Sequence, residues 1–317
     1  MTRPASSAAA QLGLGLAAIG RPAYITGGRV ADLGDPAHRS VEWMQTHAHA
    51  LLDAAWAAGV RYFDVARSYG LAETFLGSWL AAHPGRRDEL TIGSKWGYEY
   101  VGNWRVDAAV HERKEHSLAM FETQWPQTIQ ALGSGPPDIY LIHSVTPDSP
   151  ALQDRALLKR LHELADTGVR VGISTSGPHQ GGVLAQAMAL PDSPFRAVQA
   201  TWNLLEQSAA GALRRAQAAN WLVVVKEVLA NGRLAEPATS QPVDELAAAD
   251  GQTVDAFAIG AALAQPWADV VLTGAVTPHQ LQMNVAARVP RTDPGRLAAL
   301  AVAPAAYWDE RSRLPWS

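Results

Sequence analysis

Residues 60–70 read Val-Arg-Tyr-Phe-Asp-Val-Ala-Arg-Ser-Tyr-Gly, and Glu73 follows three positions later. The first half is rich in aromatic and β-branched residues and carries two charges, Arg61 at its start and Asp64 near its end, the pattern of a strand buried along its middle. A short turn then presents Tyr69, Gly70 closes it, and the Ala/Leu-rich stretch 72–82 reads as a helix. A strand that ends on a charged side chain and passes through a loop into a helix is the repeating unit of a parallel α/β sheet.

Working outward, the unit recurs. Strands are predicted at 13–17, 60–65, 90–94, 139–143, 169–174, 197–200, 222–226 and 270–272. Helical stretches fall between them at 47–58, 72–82, 113–132, 152–165, 182–190, 211–220 and 254–264, with a last one at 277–287. Eight such units predict an α/β fold of the (β/α)₈ TIM-barrel kind, a single domain with the barrel over about 11–288 and a tail over 289–317. Periodicity alone also permits a doubly wound open sheet. The polar residues favour the barrel: Asp64, Lys95, His143, Ser174, Gln199 and Lys226 all stand at or just past the C-terminal end of a strand. That is the face on which barrel enzymes assemble their sites. The segment 235–243 reads as a loop inserted before the seventh helix.

Composition narrows the function classes. A net charge of −4 and a pI near 6.2 argue against nucleic acid or an anionic membrane as partner. There is no cysteine, which removes thiolate metal sites, disulfides and cysteine nucleophiles together. The histidines lack carboxylates at metal-ligand spacing, so no metal site is expected. Arg3 and the apolar run 8–19 have the outline of a secretory signal, but Gln11 and the glycines at 13, 15 and 20 interrupt it. The run is assigned to the first strand and the protein is expected in the cytoplasm. The Gly13-Leu14-Gly15 pair has no third glycine at dinucleotide-fingerprint spacing, which rules out a Rossmann site.

Adjacent strand ends would bring Asp64, Tyr69, Lys95 and His143 around one small volume. Adding a hydride to a carbonyl leaves an alkoxide that must be protonated as it forms. A tyrosine is a weak acid for that task, and a neighbouring ammonium lowers its pKa. Lys95 would supply the ammonium, Asp64 would hold it, and His143 would donate to the substrate oxygen.

These four residues in this order, with the opening Gly13-Leu14-Gly15 and Gly20 and the segment Tyr140-Leu141-Ile142-His143, resemble the aldo-keto reductase superfamily. The resemblance covers about residues 12–287. It implies an NAD(P)H-dependent oxidoreductase that reversibly reduces an aldehyde or ketone to an alcohol, with Tyr69 as general acid. It also implies a nicotinamide carboxamide held by Ser174, Thr175 and Gln199, Thr175 standing where the family has asparagine. The loop Gly274-Ala275-Val276-Thr277 would take the pyrophosphate at a helix N-terminus, with Gln280 and Asn284 on the adenine side. NADPH is the expected cofactor and NADH the alternative, because Val276 and Thr277 replace a basic residue and only Arg288 stands nearby. Lys226, followed by Glu227, occupies a position where the family stacks an aromatic ring on the nicotinamide.

Tyr24, Trp96, Trp104 and Trp202 fall in strand-end loops and are candidates for an aromatic substrate wall, with Trp316, Tyr307 and Trp308 of the tail as a cover. The substrate is expected to be a small carbonyl or alcohol. Two other readings stay open: a Schiff-base lyase or aldolase using Lys95 or Lys226, and a nicotinamide-binding sensor with little turnover.

Overall fold

The computed structural model describes residues 11–26, 32–235 and 240–317. The start of the signal-like run and the middle of the 235–243 loop lie outside these residues. The elements run β1 (Leu12–Gly15), α1 (Val41–Ala57), β2 (Tyr62–Asp64), α2 (Ala72–Ala82), β3 (Thr91–Trp96), β4 (Tyr98–Tyr100), β5 (Glu112–Lys114), α3 (Leu118–Leu132), β6 (Ile139–Val145) and α4 (Arg155–Asp166). They continue β7 (Arg170–Thr175), α5 (Gln180–Ala189), β8 (Ala197–Thr201), α6 (Ala210–Ala218), β9 (Leu222–Lys226), α7 (Gln241–Asp250), α8 (Val254–Leu263), β10 (Val270–Thr273), α9 (Pro278–Val285), α10 (Pro294–Ala298) and α11 (Pro304–Ser312).

Eight parallel strands close in the order β1-β10-β9-β8-β7-β6-β3-β2, and β4 and β5 form a separate antiparallel hairpin. The expected barrel is therefore the observed fold. Strand alternation decides which side chains face its axis. Tyr62, Ile139, Leu141, Ala197, Val224 and Leu272 form one small apolar cluster, separate from the large core between sheet and helices. Two residues further along the same strands stand Asp64, His143, Gln199 and Lys226, and the same phase brings in Lys95 and Ser174. The apolar layer is thus the floor on which the polar groups rest. Tyr62 fills that floor beneath Gly93, where a Cβ would lie 2.5 Å from the Tyr62 hydroxyl oxygen.

Boundaries move where caps or pairing intervene. Helix α1 starts at Val41, six residues before the apolar periodicity suggests, because Ser40 accepts from the Trp43 amide. Helix α3 starts at Leu118 rather than 113, since Arg113 and Lys114 pair with Glu99 and Tyr98 and Ser117 caps the Met120 amide. The last three residues of the expected inserted loop, 241–243, belong to α7, which buries Val243, Leu246 and Ala247. The tail is helical as well, and α11 buries Tyr307 and Trp308.

Candidate active site

Asp64 stands at the inward end of β2, and its two carboxylate oxygens have different partners. Lys95 Nζ donates to Oδ2 at 2.5 Å and to the Val65 carbonyl at 3.0 Å, while Gln199 Nε2 donates to Oδ1 at 2.7 Å. A carboxylate only accepts, so the amide nitrogen of Gln199 must face it. All three side chains are buried. Burial pushes the Asp64 carboxyl up and the Lys95 ammonium down, and their mutual attraction opposes both shifts.

Tyr69 lies on the loop after β2. A contact between two glycine-bearing loops sets its position: Leu71 N–H donates to the Gly20 carbonyl at 2.8 Å, and a Cβ on Gly20 would sit 2.3 Å from the Tyr69 carbonyl oxygen. Gly70 takes a positive φ of 61°, and its own Cβ would sit 2.5 Å from the Gly20 oxygen. Lys95 Nζ lies 4.6 Å from the centre of the Tyr69 ring, and the His143 ring meets it edge-on at 5.5 Å. The Tyr69 hydroxyl makes no hydrogen bond among the described residues, and the side chain is 9% exposed. Burial, then the charge of Asp64, raises its pKa well above the usual phenol range, and the first charge to lower it is Arg21 rather than Lys95. This departs from the expectation that Lys95 acidifies the phenol.

Arg21 is buried, donates to the Ser68 carbonyl at 2.8 Å and to Glu112 at 2.6 Å, and lies 5.5 Å and 5.6 Å from the Tyr24 and Tyr69 rings. Its other face meets Trp316 at 4.8 Å, and Trp316 stacks on His111 of the β4–β5 connection at 4.3 Å. Ser317 exchanges backbone hydrogen bonds with Tyr24. The end of the tail therefore lies across the loop after β1, beside Tyr69.

His143 is held by ring and by backbone. Ser68 Oγ lies 3.3 Å from Nδ1, and His116 Nε2 lies 2.7 Å from the His143 carbonyl. A carbonyl only accepts, so His116 carries its proton on Nε2, and its Nδ1 accepts from Ser149 at 2.6 Å. The next residue, Ser144, has φ of 53°, unusual for a residue with a side chain, and its amide donates to Ser174 Oγ at 2.7 Å. Burial, then Lys95 and Lys226, holds the His143 pKa well below the usual imidazole value, so the ring is neutral.

At the end of β9, Lys226 donates to Thr201 Oγ1 at 3.1 Å and lies 3.7 Å from Glu227. Glu227 receives Arg311 of α11 through two nitrogens at 2.5–3.1 Å and Thr201 Oγ1 at 3.1 Å. The Lys-Glu pair in place of an aromatic ring is thus one part of an ion-paired cluster that ties the tail to the barrel mouth.

A nicotinamide dinucleotide meets a good fit at one end and a poorer one at the other. Ser174 and Gln199 are register partners on β7 and β8. Ser174 accepts from Ser144 and keeps its own hydroxyl proton, while Gln199 turns its nitrogen to Asp64 and keeps Oε1. A donor beside an acceptor is the complement of a primary carboxamide. Thr175 lies elsewhere: the alternation turns it outward, fully buried, 3.5 Å from Gln180. At the phosphate end, the amides of Ala275, Val276 and Gln280 donate to Thr273 Oγ1, Gln280 Oε1 and Thr277 Oγ1. Two amides of the loop expected to take the pyrophosphate, those of Ala275 and Val276, and the amide of Gln280 are thereby engaged internally. Asn284 is buried and donates to Thr273 Oγ1, so it holds the loop rather than presenting itself to an adenine. Gly274 has open space where a Cβ would stand. Arg288 is exposed beyond the far end of α9 and donates to the Gly251 carbonyl at 3.4 Å.

Of the four residues expected to form an aromatic wall, Tyr24 lies beside Arg21. Trp96 alternates outward from Lys95 and packs edge-on against Phe121 at 5.2 Å, while Trp202 meets Trp267 at 5.9 Å, both in the core. Trp104 donates to the Arg39 carbonyl at 2.8 Å and packs on Phe75. The aromatic nearest His143 besides Tyr69 is Tyr98, with ring centres 5.0 Å apart. Sequence reading missed Arg21, Ser68 and the Glu227–Arg311 pair. Ser68 adjoins Tyr69 in the deciding stretch, but nothing local marks Arg311, 84 residues from its partner. Among the described residues no group of three histidine or acidic side chains could hold a metal ion, and no helix is long and apolar enough to cross a membrane.

Comparison with known proteins places this closed eight-stranded barrel, with its buried Asp-Lys pair, tyrosine and histidine at the C-terminal mouth, in a family. Residues 36–300 match the aldo/keto reductase family, and the chain belongs to that family. It is 29% identical over 251 residues to D-threo-aldose 1-dehydrogenase of a Pseudomonas species, covering 74% of this chain and 71% of that protein. It is also 29% identical over 161 residues to 6-dehydroglucose reductase of Agrobacterium fabrum, about half of each chain (50% and 52%). An aldo-keto reductase of Bacillus halodurans, solved in its holo form, superposes over 92% of both chains with a TM-score of 0.70 at 21% identity, a likeness of fold.

Proposed function

We propose that this oxidoreductase reversibly interconverts an aldehyde or ketone and the corresponding alcohol, with Tyr69 as general acid in the reducing direction. The observation that carries the reading is the convergence of the Lys95–Asp64 pair and His143 on a tyrosine whose hydroxyl has no hydrogen-bond partner among the described residues. A phenol free of internal hydrogen bonds is available to a substrate oxygen. Ser174 and Gln199 would hold the carboxamide of a nicotinamide dinucleotide, which when bound supplies a hydride for the carbonyl carbon. Tyr69 gives its proton to the oxygen as charge develops there. Arg21 offsets the phenolate that remains, Lys95 is held beside the ring by Asp64, and neutral His143 donates to the same oxygen and orients it.

The named relatives act on sugars, which makes aldoses and oxidised sugars the first carbonyl substrates to try. The deciding experiment is Tyr69→Phe, assayed with NADPH and NADH on a substrate the wild type turns over. Loss of at least about a hundredfold in kcat is expected, the lower range of a general acid's contribution. Unchanged turnover would overturn the reading.

A further inference from the structure

We propose that Ser68 is a positioning residue that sets the ring tautomer of His143: its hydroxyl donates to Nδ1, so the imidazole proton sits on Nε2. The proposal rests on the role given above to His143, because a neutral imidazole has one N–H and can polarise a carbonyl only from the nitrogen that carries it.

The 3.3 Å contact between Ser68 Oγ and Nδ1 is compatible with two directions of donation. If Nδ1 carried the proton and donated, the Ser68 hydroxyl would need another acceptor. Ser68 is 0% exposed, and its hydroxyl has no second partner among the described residues. A buried hydroxyl proton without an acceptor is costly, whereas an unused hydroxyl lone pair costs less. Donation from Ser68 to Nδ1 leaves no proton stranded.

The surroundings keep both partners in place. Arg21 grips the Ser68 carbonyl at 2.8 Å and so anchors the backbone that carries the hydroxyl. His116 and Ser174 hold the two ends of the peptide that follows His143. Lys95, Lys226 and Arg21 all disfavour a second proton on the ring, which leaves tautomer choice as the variable that remains.

The test reads proton position directly. The resting protein, labelled with ¹⁵N-histidine, is examined by long-range ¹H–¹⁵N correlation, and the His143 signals are assigned by their loss in His143→Gln. The expected wild-type pattern is a protonated Nε2 and a bare Nδ1. In Ser68→Ala the pattern shifts toward a mixture with Nδ1–H, and kcat falls about tenfold to a hundredfold with little change in KM, a fraction of a whole general acid's contribution. A wild-type Nδ1–H pattern overturns the proposal, as does Ser68→Ala with the wild-type pattern retained. Because the spectra need no turnover, their outcome is separate from that of Tyr69→Phe.

Discussion

Gln199 and Lys95 take opposite oxygens of the Asp64 carboxylate, at 2.7 Å and 2.5 Å, so this buried acid is satisfied from two strands at once. Asp64→Asn would leave the wholly buried Lys95 ammonium without a counter-charge. Loss of one member of a buried pair costs about 3–5 kcal/mol, and removing both costs less. Urea unfolding should show Asp64→Asn destabilised by about that amount and part of it restored in Asp64→Asn/Lys95→Met. A single variant within 1 kcal/mol of wild type would sink this account.

Tyr69→Phe is expected to separate activity from stability. The hydroxyl it deletes has no hydrogen bond among the described residues, while the ring contacts to Lys95 and His143 survive. Chemical unfolding should therefore change by no more than about 0.5 kcal/mol, as for substitutions that remove no named interaction. A larger loss would mean that the hydroxyl is structural.

His116 couples stability to pH. Burial, then the charge of Lys114, lowers its pKa from 6.5 to about 4. Below pH 6.5 the unfolded chain takes up a proton that the folded one refuses, so stability falls with pH between about 6.5 and 4. At 1.36 kcal/mol per pH unit the full effect is about 3 kcal/mol. His116→Gln keeps a donor for the His143 carbonyl and removes the titration. Its stability should vary less than wild type over that window, measured by urea unfolding at several pH values.

Glu227 acts in the same direction at lower pH. Burial alone would raise its pKa, but Arg311 and Lys226 hold it at about 2 against an ordinary 4.5. The folded state thus gains stability above pH 4.5 that is lost as pH falls toward 2. Arg311→Met should cost about 3 kcal/mol at neutral pH. It should also expose the segment after residue 300 to limited proteolysis. Unchanged stability together with unchanged cleavage would contradict the role given to the pair.

The loop before α9 makes a prediction for cofactor choice. Residues 273–285 carry no lysine or arginine, and three of their amides are engaged internally. Fluorescence titration should find NADPH and NADH affinities within about tenfold of each other, since no cation there offsets the 2′-phosphate. Thr277→Arg should favour NADPH by about tenfold, the scale of one charge-assisted hydrogen bond.

The barrel was legible because strand alternation and helix periodicity are local, and at least six of the eight barrel strands carry a polar residue at or just past their C-terminal end. Asp64, Lys95, His143 and Ser174 could be read for the same reason. Parity also explains two misreadings: Trp96 and Thr175 each follow an inward residue, so both turn outward, whatever their suitability for a pocket wall or an amide contact. Contacts between distant loops were not legible. Arg21 reaches Ser68 and Glu112, and Arg311 reaches Glu227, across separations that no window of sequence spans.

The Glu227–Arg311 pair has a consequence for the order in which the molecule is made. The barrel strands are complete by Thr273, yet the carboxylate at the end of β9 has no arginine until α11 arrives. A growing chain that has already closed its barrel would still carry a poorly compensated charge at the mouth. Docking of the last helix is then the event that finishes the site, and the interval before it is when the young protein is most exposed to misassembly.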